Sequence, residues 1–395
     1  MVARRVGEVE ISGIRRMFEA ARPDSINLGL GEPDFDPPAV VLQAFAAAIQ
    51  NGGNHYGPTA GLAALRDRVA ELYRDRRPTT GRDNVLITSG GTEALMATAL
   101  ALYDPGDEVL VPDPGFVLYA PHARLAGARP VPYPLVEADG FVPRLGEIEA
   151  RITSRTTAIV VNSPSNPTGG VFPRKTIEGI VSLAERHGLT IVSDEVYDRI
   201  TYETPATSFW GLTDRTVVVN SFSKTFAATG WRLGFVVAPA PLAAAIGKIH
   251  YHIMACPATP AQTAVLAGLT ADLADTRRMV REFRARRDLL LREMRSIPGV
   301  HCVRPRGAFY LFPRFDWNET STEAAMGLLE AGLIATPGDA FGSLGAKHLR
   351  LSFAASRDAL RRGMAILRRY AEERAGGAAR PGSGSRAGPP ARTSR

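Results

Sequence analysis

Cysteine is nearly absent from this sequence. Cys256 and Cys302 are the only two among 395 residues, far apart and in no CxxC pair. That excludes a disulfide framework and a cysteine-based zinc site, and it suits a reducing, cytoplasmic setting. Long apolar runs are also lacking. None approaches the ~18 residues that cross a bilayer, so no membrane partner is expected. The opening stretch MVARRVGEVEISGIRR carries charge but no apolar core of the kind a secretory signal needs. No repeat of fixed period is visible. The 7 histidines do not cluster with the residues singled out below, which argues against metal ligation.

The charge balance excludes less than it first suggests. A net charge of +7 raises the question of nucleic acid. Four arginines and no acid lie in 375–395, leaving only +3 on the rest of the chain. That stretch, AGGAARPGSGSRAGPPARTSR, is too poor in apolar surface to pack and reads as a solvated, disordered tail. No nucleic-acid partner is expected. With 45% apolar and 22% charged residues the remainder can bury a large core, in two or three units of roughly 100–200 residues.

Short β-rich runs alternate with helical patterns. VLITSG (85–90), DEVLVP (107–112), TTAIVVNSP (156–164), LTIVSDEVY (189–197), RTVVVNSFS (215–223) and LGFVVAP (233–239) read as buried strands. Helical periodicity marks 62–76, 92–103 and 174–188. The pattern predicts an α/β fold with a mainly parallel central sheet and helices on both faces. The large domain is placed at 39–280. A smaller α+β domain follows at 281–374, with an arginine-studded helix over 277–295 read as a solvated face. GAFYLFP (307–313) and HLRLSFA (348–354) read as its strands. Leu360, Met364, Leu367 and Tyr370 share one face of its last helix. Segment 1–38, with the stripe Ile11, Ile14, Met17 and Phe18, is expected to pack with the small domain.

In open α/β sheets ligands bind beyond the carboxyl ends of the strands. Ser89-Gly90-Gly91-Thr92 follows one strand and opens a helix, as a phosphate cup would, without the spacing of a P-loop. Asn162-Ser163-Pro164-Ser165-Asn166-Pro167 follows another and presents Asn166. Asp194 ends a third, with Tyr197 three residues on. Ser221, Phe222, Ser223 and Lys224 follow a fourth, ahead of Arg232. Gly29-Leu30-Gly31 begins like a dinucleotide fingerprint, but Asp34 occupies the last glycine position and no strand–helix unit follows. The Asn318-Glu319-Thr320 sequon has no bearing without secretion. A lysine able to form a Schiff base, a carboxylate and a phosphate cup together suit pyridoxal phosphate, whose ring nitrogen an acid can keep protonated.

The segments INLGLGEPDFDPP, HYGPTAGLAALR, SGGTEAL, DEVLVPDPGFVLY, NSPSNPTGG, SDEVYD, SFSKTFAATGWRLGF, GAFYLFPR and HLRLSFAAS occur in the order seen in class I/II aminotransferases of PLP fold type I. Over residues 11–370 the chain resembles that family. The resemblance implies that Lys224 holds the cofactor as a Schiff base and that Asp194 partners the ring nitrogen. It implies that Tyr197 and Asn166 serve the ring's phenolic oxygen. Gly90, Gly91, Thr92, Ser221 and Arg232 would contact the phosphate, and Phe116 would stack on the ring. Tyr56 would reach the phosphate of a neighbouring subunit, so a homodimer is implied. Arg350 and Gly31 would hold the substrate α-carboxylate.

The implied activity is ping-pong transfer of an amino group from an L-amino acid to a 2-oxo acid such as 2-oxoglutarate. Thr92 is not basic, and Phe116 stands where aspartate enzymes commonly carry tryptophan, so aromatic or bulky apolar donors are favoured. An aspartate aminotransferase is the alternative, with Arg15 and Arg306 as candidate readers of a distal carboxylate. A lyase or synthase on the same fold would use the same cofactor contacts. A cofactor-binding transcription regulator would need a DNA-binding domain ahead of the fold, for which the GEPDF segment near residue 31 is expected to leave no room.

Overall fold

The computed structural model describes residues 2–9 and 22–377. The stripe Ile11, Ile14, Met17 and Phe18, the candidate Arg15, and the tail from 378 onward lie outside the described residues.

Seven strands form one sheet, in the order Val85–Thr88, Gly234–Val237, Thr216–Ser221, Thr190–Asp194, Thr156–Asn162, Glu108–Asp113 and Arg129–Pro134. All pair in parallel except Gly234–Val237, which runs against both neighbours. The inner strands are buried on both faces, and side chains alternate between them. Val109, Val111, Val160, Val192, Val217, Val219 and Val236 face one side, packed on helices Gly90–Leu102 and Ala240–Ile253. On the other side Ile87, Val218 and Val237 pack on helix Thr259–Thr270, and Leu110, Ile159 and Ile191 pack on helix Arg174–His187. Each such side chain contributes roughly 1.5–3 kcal/mol on burial, so the sheet is a stiff platform for what its ends carry.

Strand Arg129–Pro134 has no counterpart in the sequence reading. Its residues, RPVPYP, include three prolines, which cannot donate to a ladder. The strand lies at the sheet edge, where only Glu108–Asp113 is its partner and the proline positions need no donor.

In a separate three-stranded sheet Leu349–Ser352 pairs antiparallel with Tyr310–Leu311 and with Thr336–Pro337. Ile26–Asn27 pairs in parallel with Leu333–Ile334. Leu360, Met364, Leu367 and Tyr370 are all buried on one face of the last helix. That helix, Arg357–Gly377, runs into the stretch read as the start of the tail.

Helix Ala274–Met294 corrects the expectation of a solvated arginine face at two positions. Arg286 donates to Asp34 at 2.6 Å and to Glu282 at 3.0 Å. Arg287 is fully buried, over the Tyr202 ring and paired with Glu203 at 2.8 Å and Asp288 at 3.0 Å. It also donates to the Pro305 carbonyl at 2.9 Å. Helical periodicity marks a charged face but does not say which loops return to cover it. Arg287→Ala leaves Glu203 and the Pro305 carbonyl without their buried donor. It is expected to cost about 3 kcal/mol, read as a lower midpoint of urea unfolding. An unchanged midpoint would show the arginine to be expendable.

Candidate active site

The carboxyl ends of the parallel strands surround a cavity of about 280 Å³. Eleven of the residues singled out from the sequence line it: Gly31, Gly91, Thr92, Phe116, Asn166, Asp194, Tyr197, Ser221, Lys224, Arg232 and Arg350. Gly90 sits just outside, beneath Arg232. Its φ is +80°, a left-handed conformation that favours glycine, and the Arg232 guanidinium lies against it. Tyr56 is not brought to this cavity; it is 91% exposed, in a surface depression beside Cys256 and Pro257. Arg306 is exposed and does not line the cavity.

Lys224 stands on the short helix Phe222–Thr225, whose N-cap Ser221 accepts from the Ser223 amide at 3.2 Å. Its Nζ donates to the Gly31 carbonyl at 2.7 Å. Burial first, then the Arg350 and Arg232 cations, bring its pKa down to about 8, against the pull of Glu32 and Asp194. An appreciable fraction of this amine is therefore neutral and nucleophilic near neutral pH.

Asp194 and Glu195 are adjacent, buried carboxyls, but strand alternation separates them. Glu195 accepts from Ser193, Ser208 and the Phe209 amide, away from the cavity. Asp194 lines the cavity. Its Oδ2 accepts from the Tyr119 hydroxyl at 2.6 Å and its Oδ1 from the Val196 amide at 3.3 Å. Burial raises the Asp194 pKa to about 6, with these hydrogen bonds and Lys224 working the other way.

Arg350 is 4% exposed, in the middle of strand Leu349–Ser352. It donates to Asn166 Oδ1 at 3.0 Å, to the Gly29 carbonyl at 2.5 Å and to Thr336 Oγ1 at 3.3 Å. It lies between the Tyr310 and Phe341 rings, 4.6 and 4.9 Å from their centroids. Its Nε has no partner, and no carboxylate among the described residues pairs with it. A buried guanidinium held only by neutral acceptors keeps unused capacity for an anionic partner.

Three further residues of consequence at the site were not singled out from the sequence. Tyr119 grips Asp194, and the Tyr310 hydroxyl meets that of Tyr197 at 2.8 Å. Asn162 donates to the Asp194 carbonyl at 3.0 Å and accepts from the Asn166 amide at 2.8 Å. All three lie inside segments quoted above. Asn162, a polar residue ending a buried strand, was the one with a readable signal.

Comparison with known proteins places the chain. A model of the family described as aminotransferase class I and II matches residues 23–367. The chain belongs to this family.

The chain is 38% identical to a probable aspartate aminotransferase of Methanocaldococcus jannaschii, covering 94% of this chain and all of the relative. It is 35% identical to aromatic-amino-acid aminotransferase 2 of Thermococcus litoralis, covering 94% and 98%. Among solved structures, an aromatic aminotransferase from Pyrococcus horikoshii superposes with a TM-score of 0.87 at 36% identity, covering 92% and 100%. Aminotransferases of this family depend on pyridoxal phosphate, and the fold is PLP type I.

The residues present fit that cofactor on their own chemistry. A helix opens at Gly90 with Arg232 beside it, ready for a phosphate; a neutralisable lysine and a buried carboxylate share one cavity; Arg350 lacks an anion. Tyr119→Phe removes a hydrogen bond that favours the ionised form of Asp194, so the Asp194 pKa rises. Activity needing that carboxylate is lost as pH falls through its pKa. The acid limb of the kcat/KM profile is therefore expected to move to higher pH, and an unmoved limb would uncouple Tyr119 from Asp194.

Proposed function

We propose that this aminotransferase favours aromatic or other bulky apolar amino acids, with 2-oxoglutarate as acceptor. One observation carries the preference. Among the described residues the cations lining the cavity are Lys224, Arg232 and Arg350, and each has a task near the cofactor or the α-carboxylate. Position 92 is threonine, and Leu95, Phe116, Val196 and Tyr310 supply an apolar lining. A distal carboxylate would find no fourth cation there, whereas an aromatic ring would find matching surface. Aspartate is the second reading, favoured by the name of the Methanocaldococcus relative.

In this reading Gly90, Gly91, Thr92, Ser221 and Arg232 hold the phosphate, and Phe116 stacks on the ring. Tyr197 and Asn166 donate to its phenolic oxygen. Bound here, pyridoxal phosphate supplies an aldehyde that condenses with amines and a ring that accepts electrons from the Cα–H bond. Asp194 holds a proton on the ring nitrogen. Arg350, with the Gly31 backbone, binds the α-carboxylate and so orients the Cα–H bond. Lys224 would hold the cofactor's aldehyde until substrate arrives, and its Nζ, then free in the cavity, would serve as the base that moves the Cα proton. The two half-reactions share one site, so ping-pong kinetics follow.

A homodimer belongs to the same reading, since Tyr56 projects from its own subunit and would serve the partner's phosphate. A cytoplasmic setting suits the two free cysteines.

Lys224→Ala is expected to abolish the borohydride-trapped adduct with pyridoxal phosphate and to lower transamination by at least about a thousandfold. Retained turnover would refute the lysine's role. In a rate screen with 2-oxoglutarate, phenylalanine and tyrosine are expected to exceed aspartate in kcat/KM by about tenfold or more. A preference for aspartate would overturn the apolar reading.

A further inference from the structure

Beneath the N-terminus of helix Gly90–Leu102 lies a buried ion pair that none of the steps above uses. Glu93 sits in the first turn, 8% exposed, and its Oε2 accepts from the Ser89 amide at 3.0 Å. His250, on helix Ala240–Ile253, is fully buried. Its Nδ1 lies 3.1 Å from Glu93 Oε1 and its Nε2 lies 2.9 Å from the Thr59 carbonyl oxygen.

With Glu93 ionised, both partners of the imidazole are oxygens that only accept, a carboxylate and a carbonyl. Each ring nitrogen must therefore carry a proton, which makes His250 an imidazolium. Burial alone would lower the His250 pKa, but the Glu93 hydrogen bond and charge, with the Thr59 hydrogen bond, more than reverse that, and the net direction is upward. Glu93 is the one charged group acting on it.

A carboxylate in the first turn stabilises a bare helix N-terminus, but it competes with any second anion for the same field. In the proposed reading the second anion would be the cofactor phosphate, held at Gly90, Gly91 and Thr92, in the same first turn as Glu93. We propose that His250 is a positioning residue: its buried positive charge cancels that of Glu93, so that Glu93 can cap the helix without repelling phosphate. This rests on reading Gly90–Thr92 as the phosphate cup.

The test is the preference for pyridoxal phosphate over pyridoxal, which lacks the phosphate, measured as the ratio of dissociation constants on the full-length protein stripped of cofactor. In His250→Gln the pair carries a net charge of −1, and the ratio is expected to fall about tenfold through lost phosphate affinity, with pyridoxal affinity unchanged. In Glu93→Gln/His250→Gln the pair is neutral again, and the wild-type ratio is expected to return. A ratio that stays low in the double variant would overturn the charge role and assign the effect to the lost Thr59 contact. An unchanged ratio in His250→Gln, or an equal loss for both ligands, would also overturn it. If His250→Gln alone does not fold, the double variant must keep the wild-type ratio and Glu93→Gln, whose pair carries a net charge of +1, must not lower it; a tenfold fall in either overturns the proposal. Arg232→Gln is the control. If it leaves the ratio unchanged, the phosphate-cup reading itself fails; if it lowers the ratio while His250→Gln does not, only the role of His250 falls.

Discussion

Desolvation of charge is the constraint on which this site depends. Lys224, Asp194 and Arg350 lie in one cavity of about 280 Å³, the acid and the arginine buried and the lysine half-buried. Burial pulls the lysine down to about 8 and pushes the aspartate up to about 6. In water the two groups would sit about six pH units apart. Bringing them towards neutrality from opposite sides places a nucleophilic amine and a proton-holding acid in the same working range. Arg350 meets the constraint differently. It stays charged but is given only neutral oxygens.

The backbone shares in this arrangement. The segment Gly29-Leu30-Gly31 offers one carbonyl to Arg350 and another to Lys224. Asn166 bridges Arg350 to Asn162, and Asn162 bridges on to the Asp194 carbonyl. The loop carrying Phe116 is tied to the segment 341–344: Asp113 accepts from Ser343 and Leu344, and Gly115 donates to the Phe341 carbonyl. Phe341 in turn lies against Arg350. Arg350 and the loop carrying Phe116 are thus parts of one connected assembly that joins the seven-stranded and three-stranded sheets.

Much of the sheet was legible because buried parallel strands write themselves as short, β-branched runs. TVVVNS and VLIT need no partner to be recognised. Arg129–Pro134 was not legible, because an edge strand tolerates the prolines that local pattern treats as strand breakers. The site divided along similar lines. Lys224, Asp194 and Asn166 end strands or open the loops after them, and that position alone marks them. Tyr119 and Tyr310 are ordinary aromatics in apolar segments until the fold turns their hydroxyls toward Asp194 and Tyr197. Arg286 and Arg287 were read as solvent-facing because periodicity describes a helix and not the loops that return to cover it.

The amino-acid sequence by itself determined the order of strands and helices, the residues displayed at the strand ends and the ordered segments shared with class I and II aminotransferases. These follow from local propensity, alternation and side-chain chemistry, which need no distant contact. Only the tertiary structure decided which charges lose their water, which acceptors they meet instead, and that His250 and Glu93, 157 residues apart, form one buried pair. Desolvation and hydrogen bonding depend on atoms brought together from remote parts of the chain, and no local pattern encodes that meeting.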